Sequence, residues 1–202
     1  MNVLDTIIDL QFLKDRNACD EGIKYFEEEI KEPILARELI EKLLATKKRE
    51  KMGWVSWLLC KLFSRPHYIQ YAVFAAEQVL PIFEKEYPDD KLPREAIEAA
   101  KQVALNDNGE NRKIAADAAN AAANAAAYAA NAANAAYVAA NATYAAANAT
   151  YAAYAADDAA DAAAYAVDAS DVAANAVAYT AGGKEMLLKI ISFGIGLLEN
   201  KR

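Results

Sequence analysis

Ile114–Ala181 reads IAADAANAAANAAAYAANAANAAYVAANATYAAANATYAAYAADDAADAAAYAVDASDVAANAVAYTA, and it contains no Gly, Pro, Lys, Arg, Glu or His. Alanine is the strongest helix former, and Gly and Pro are the main breakers. The stretch is therefore committed to helix, and the fold class it predicts is all-α. Its side chains are too small to line a deep pocket. Asn, Asp and Tyr interrupt the alanines in one series, from Asp117, Asn120, Asn124 and Tyr128 to Asn175 and Tyr179. The mean step of the series is roughly 3.4 to 3.5 residues, short of the 3.6 of a straight α-helix. On a straight helix such a stripe drifts round the cylinder. Either long helices supercoil about each other, or the tract breaks into helices that each restart the phase. A single rod would be about 100 Å long at about 1.5 Å per residue. A fold-back into two or three antiparallel helices is the preferred reading. Asp157-Asp158 is the best break, because it disturbs the spacing and Asp158 followed by Asp161 suits a capped, acidic first turn. Asn141-Ala-Thr143-Tyr144 is a second candidate.

Alanine buries little area, but it lets backbones approach closely. The tyrosines then serve as spacers with an apolar ring and a polar tip. Three readings of the stripe stay open: a solvated face, a partner surface, or Asn hydrogen bonds between helices.

Charge varies along the chain. The net formal charge is −7 and the pI about 4.9, which argues against nucleic-acid binding. Residues 1–113 carry 18 basic and 21 acidic side chains, while Ile114–Ala181 carries six Asp and no base. Cys19 and Cys60 suit reduced thiols in a cytoplasmic protein rather than a disulfide. The opening residues Met1-Asn2-Val3-Leu4-Asp5 lack the basic and apolar regions of a signal peptide. No run is long enough for a transmembrane helix.

Before the tract, apolar spacing and proline placement predict short helices. They are Val3–Lys14, Asp20–Glu29 with Asp20 as cap, one opened by Pro33, Met52–Phe63, one from Pro66 to about Glu86 that Pro81 kinks or ends, and one from Pro93. Asn106-Asp-Asn-Gly109 breaks the chain. No strand alternation or hairpin signal is visible. Lys184–Arg202 reads as an amphipathic segment that docks on the bundle in preference to a membrane.

Tests for chemistry return nothing. His67 is the only histidine and sits beside Pro66 at a helix start, where a structural contact outweighs a role as base. One His and two distant Cys make no zinc site. Asp157, Asp158 and Asp161 lack the loop glycine of a calcium site. There is no phosphate loop and no nucleophile elbow. Glu27-Glu28-Glu29 reads as a solvated helix end, and Trp54 and Trp57 as core anchors. No catalytic residue, cofactor or metal is expected.

Leu13-Lys14-Asp15-Arg16-Asn17-Ala18-Cys19-Asp20-Glu21-Gly22 looks like a short module of its own. Tyr71-Ala-Val-Phe-Ala-Ala-Glu77-Gln-Val-Leu80-Pro81-Ile-Phe83-Glu84 continues through Tyr87-Pro88-Asp89-Asp90. It is followed by Pro93-Arg94-Glu95-Ala96-Ile97-Glu98-Ala99-Ala100. With the alanine tract, these runs resemble the immunity proteins of bacterial polymorphic-toxin systems and their phage-borne relatives, over residues 13–181. The resemblance implies an inhibitor of a protein and names no mechanism. Many such relatives place Arg or Glu among the alanines, where this chain has only Asn, Tyr and Asp.

The resulting expectation is an N-terminal helical body over 1–110, an alanine-rich antiparallel bundle or hairpin over 111–181, and a docking helix over 182–202. The function expected is a non-enzymatic, cytoplasmic protein that binds and neutralises a toxin or other effector. It would act without nucleic acid or membrane, and homo-oligomerisation stays open. Asp157, Asp158, Asp161, Asp168 and Asp171 are the candidate partner surface, with Asp158, Asp161, Asp168 and Asp171 near one helix face. The alternative is a structural or self-assembling alanine coil, of phage origin in one version. Ice binding is disfavoured, because Thr143, Thr150 and Thr180 are irregularly spaced.

Overall fold

The computed structural model describes residues 2–117 and 183–199, and the described chain is mostly helical, as the sequence predicts. The alanine tract beyond Asp117 lies outside the described residues, and with it the expected fold-back and its two candidate breaks.

The first segment departs from the predicted single helix over Val3–Lys14. Asn2 accepts a hydrogen bond from the Leu4 amide and starts a short 3-10 turn, Val3–Asp5. Strand β1 (Ile7–Ile8) follows, and helix α1 (Leu10–Asp15) begins only at the Asp9 cap, whose Oδ1 accepts from the Phe12 amide at 2.7 Å. The β-branched pair Ile7-Ile8 is stiff and favours the pleated backbone. It finds a partner in β2 (Ile34–Leu35), antiparallel, with Ile7 opposite Leu35 and Ile8 opposite Ile34. The Ala36 amide donates to the Thr6 carbonyl at 2.9 Å and extends the ladder. The expectation of no strand is thus corrected by one two-stranded ribbon. Pro33 does not open a helix either, because Ile34 and Leu35 are taken by the ribbon. Of the apolar positions Leu4, Ile7, Ile8, Leu10 and Leu13, whose spacing fits the predicted Val3–Lys14 helix, Leu4, Ile8 and Leu13 are buried, Leu10 is half-buried and Ile7 is 60% exposed.

Helix α2 (Asp20–Tyr25) has Cys19 rather than Asp20 at the cap, with Asp20 and Glu21 in its acidic first turn. It runs into a π-turn, Phe26–Ile30, closed where Lys31 adopts φ 68° and its amide reaches the Phe26 carbonyl at 2.8 Å. Then come α3 (Ala36–Ala45), α4 (Arg49–Leu62), α5 (Arg65–Glu86) and α6 (Leu92–Leu105). Pro66 and Pro93 sit in the first turns of α5 and α6, where a missing amide costs nothing. Pro81 does not end α5, which runs five residues further. Its side is exposed, so water can satisfy the carbonyl of Glu77 that loses its donor. The break at 106–108 is real. Asn108 caps the next helical run by accepting from the Asn111 amide at 2.8 Å, and the backbone is helical over 109–117.

Helix α7 (Gly183–Glu199) packs on α4 and α5 and touches the turn Val3–Asp5. It carries Leu187, Ile190, Ile191 and Leu198 into the core, and Phe193 stacks on Phe74 at 4.0 Å and 8°. At Gly194 the helix crosses so closely that a Cβ would lie 2.7 Å from Tyr71 Cε2 and 3.0 Å from Leu59 Cδ1. Tyr71 is fully buried there, and its hydroxyl shares a hydrogen bond with Ser56 Oγ at 2.8 Å. No described helix is long and apolar enough to cross a membrane.

Candidate functional site

The acidic partner surface expected at Asp157, Asp158, Asp161, Asp168 and Asp171 lies outside the described residues. Among the described residues no cluster of His, Cys, Asp and Glu could hold a metal. A serine and a histidine do meet at the start of α5, with Ser64 Oγ 3.2 Å from His67 Nδ1. This is a local contact between residues one turn apart, and the imidazole stands edge-on to Phe63 at 5.9 Å. Burial pushes the His67 pKa down, which favours the neutral ring.

Two other places gather chemistry. The first is the α5–α6 pair, which carries the motif residues Glu77, Glu84 and Arg94. Arg94 grips Glu84 with two hydrogen bonds of 2.6 Å, in the forked geometry that guanidinium and carboxylate share. The Arg94 hydrogen bond holds the Glu84 carboxyl below its ordinary range, and the same bond raises Arg94. One helical turn or more away, Lys101 reaches Glu77 at 2.6 Å and Glu98 at 2.8 Å. Burial alone would lower Lys101, but the two carboxylates outweigh it and raise its pKa. The Glu84–Arg94 and Glu77–Lys101 pairs staple α5 to α6, two helices that also bury alanine, valine and isoleucine.

The second place is a cavity of about 360 Å³ between α1, α2, α3 and α4. Leu13, Phe26, Leu39, Leu43 and Leu58 form its floor and sides, and Tyr25, Trp54 and Trp57 add aromatic walls. Gly22 and Gly53 line it, and Asn17 and Cys19 supply polar atoms. Trp54 and Trp57 are half-buried against the core, so the expectation of core anchors describes only part of what they do. Lys51 is 8% exposed and lies over two rings, its Nζ 3.3 Å from the centroid of Trp54 and 4.0 Å from that of Tyr25. Glu50 approaches the same ammonium at 3.5 Å. Cys19 is exposed and Cys60 buried, and neither is in a disulfide. Sequence reasoning missed this cavity. The available signal was Gly53, a glycine inside a predicted helix and next to a tryptophan.

Compared with known proteins, residues 58–187 match the family described as Imm-5 like putative immunity protein, well over half of the chain. The chain belongs to that family. The match begins within α4, takes in α5, α6 and the alanine tract, and ends in α7 at Leu187. It contains the Glu84–Arg94 and Glu77–Lys101–Glu98 pairs, so the family's segment is the stapled α5–α6 unit continued into the tract. The cavity, by contrast, is built from residues 13–58 and meets the match only at Leu58. No curated protein and no solved structure matches the chain.

Proposed function

We propose that this Imm-5 like chain is the inhibitory half of a toxin–immunity pair, a cytoplasmic protein that binds one effector and neutralises it without catalysis. The family match over residues 58–187 carries the reading. The charge balance supports it. A net charge of −7, with six Asp and no base in Ile114–Ala181, suits an effector whose working surface is basic. Such complementarity speeds association and suppresses wrong partners. In this reading Asp157, Asp158, Asp161, Asp168 and Asp171 face the effector. The bland account, that these residues cap helices and keep an apolar tract in solution, differs in a measurable way.

The test is co-expression with each toxin-like gene found adjacent to the gene for this chain, followed by purification. Rescue of growth and a stoichiometric complex are expected. With Asp161, Asp168 and Asp171 changed to Asn, the association rate and its salt dependence should fall while the helical signal persists. Unchanged rate and salt dependence would leave the aspartates as a solubility device. The stripe's mean step near about 3.5 residues favours one second reading, a self-assembling alanine coil. Light scattering separates the two, since an obligate filament is incompatible with a soluble inhibitor.

A further inference from the structure

We propose that the cavity beside Trp54 and Trp57 binds a small, neutral, ring-bearing apolar molecule. The proposal does not rest on toxin neutralisation, because all of the cavity wall except Leu58 precedes the family segment. Its volume, about 360 Å³, is far beyond a packing defect and within the range of small-molecule sites, about 300–1,000 Å³. No carboxylate, ammonium or guanidinium is among the lining residues, and the Lys51 ammonium over the Tyr25 and Trp54 rings is already met by Glu50 at 3.5 Å. A charged ligand would lose its hydration there and gain no partner, so the occupant is neutral. Tyr25, Trp54 and Trp57 offer ring faces and edges, the surfaces that pair with another ring. Asn17 and Cys19 can meet one or two polar atoms.

Gly53 is one of the residues that line the cavity. It lies inside α4, where glycine weakens a helix. Glycines in helices are commonly explained by close packing, as Gly194 is. At Gly53 a Cβ would meet nothing within 4 Å, so no neighbour requires its absence. Because Gly53 is a lining residue with open space at its Cβ, a larger side chain there has room to occupy part of the cavity. The wall is also set in advance. Lys51 comes from the same helix and lies over Tyr25 and Trp54, whose centroids are 5.5 Å apart. Cation–π contact of this kind fixes ring orientation, and a wall ordered before binding costs a ligand less entropy.

Trp54 and Trp57 are the chain's two tryptophans, so intrinsic fluorescence reads the cavity directly. The experiment titrates the full chain with phenylnaphthylamine, a neutral dye that is dark in water. Saturable binding is expected, with tryptophan emission falling as dye emission rises. The anionic analogue anilinonaphthalene sulfonate should bind at least about tenfold more weakly. Gly53→Leu, which fills the space with a good helix former, should weaken the neutral dye at least about tenfold. Bound dye should also slow alkylation of Cys19 by iodoacetamide, Cys60 being buried. Absence of saturable binding overturns the proposal, as does equal affinity in a folded Gly53→Leu. If Gly53→Leu fails to fold, the thiol decides: an unchanged alkylation rate at saturating dye places the dye elsewhere and overturns the proposal. A dimer that the dye dissociates would mean that a second copy fills the cavity, which also overturns it.

Discussion

Gly53 and Gly194 look alike in the sequence, each a glycine among apolar residues in a helix. The structure separates them. Gly194→Ala would drive a Cβ to 2.7 Å from the buried ring of Tyr71, which cannot retreat without moving Ser56 and Leu59. The expected cost is about 1–3 kcal/mol, read as a lowered urea midpoint at unchanged slope. Gly53→Ala meets nothing and removes a flexible residue from a helix, so it should stabilise by about 0.5–1 kcal/mol in the same measurement. Equal signs for the two would refute the distinction. His67 gives a second residue-scale expectation. Burial lowers its pKa, so the folded chain resists protonation more than the unfolded chain. Its contribution is complete above the unfolded value near about 6.5 and is lost as pH falls through that value toward the lower folded one. His67→Gln should flatten this part of the stability–pH curve and leave stability near pH 8 nearly unchanged, pH 8 being roughly 1.5 units above the window.

At the scale of the element, α5 and α6 behave as one stapled pair. Glu84 is held below its ordinary range by the hydrogen bond from Arg94, which makes it a carboxylate whose contribution is present above the unfolded pKa and lost as pH falls toward the folded value. Arg94 is 50% exposed and Glu84 24%, so solvent screens the pair and its worth is modest, about 0.5–1 kcal/mol. Glu84→Gln should lower the thermal midpoint at neutral pH and erase that much of the acid sensitivity. A variant as stable as the parent at pH 7 and equally acid-sensitive would show that packing alone joins the helices. These helices were legible in the sequence because each signal was local: a proline in the first turn, a helical apolar period, and an Asn-Asp-Asn-Gly stop. The ribbon was not. Nothing within Leu4 to Leu13 announces that Ile7-Ile8 will be claimed by Ile34-Leu35, a pairing between residues far apart in sequence. The spacing of Leu4, Ile8 and Leu13 fits one helix as well as it fits three short elements. Trp54 and Trp57 posed the same difficulty for the site, since only the third dimension brings Leu13, Tyr25 and Leu39 round to meet them.

For the whole molecule, the telling contact is between segments remote in sequence. Helix α7 packs on α4 and α5 and reaches the Val3–Asp5 turn, which itself packs against α3. Residues before and after the alanine tract therefore share one core, with Leu187, Ile190 and Ile191 as buried as Val55, Leu59 and Ile69. Cooperativity tests this shared core. Ile190→Ala removes a fully buried side chain from the centre of the α7 contact and should cost about 2–5 kcal/mol. Because Trp54 and Trp57 lie on the far side of α4 in the cavity wall, their emission should report the loss at the same urea concentration as the helical signal. A tryptophan transition that stays at the parent midpoint while the helical signal shifts would mean that residues 2–117 fold without α7, and that the helix is an accessory rather than part of the core.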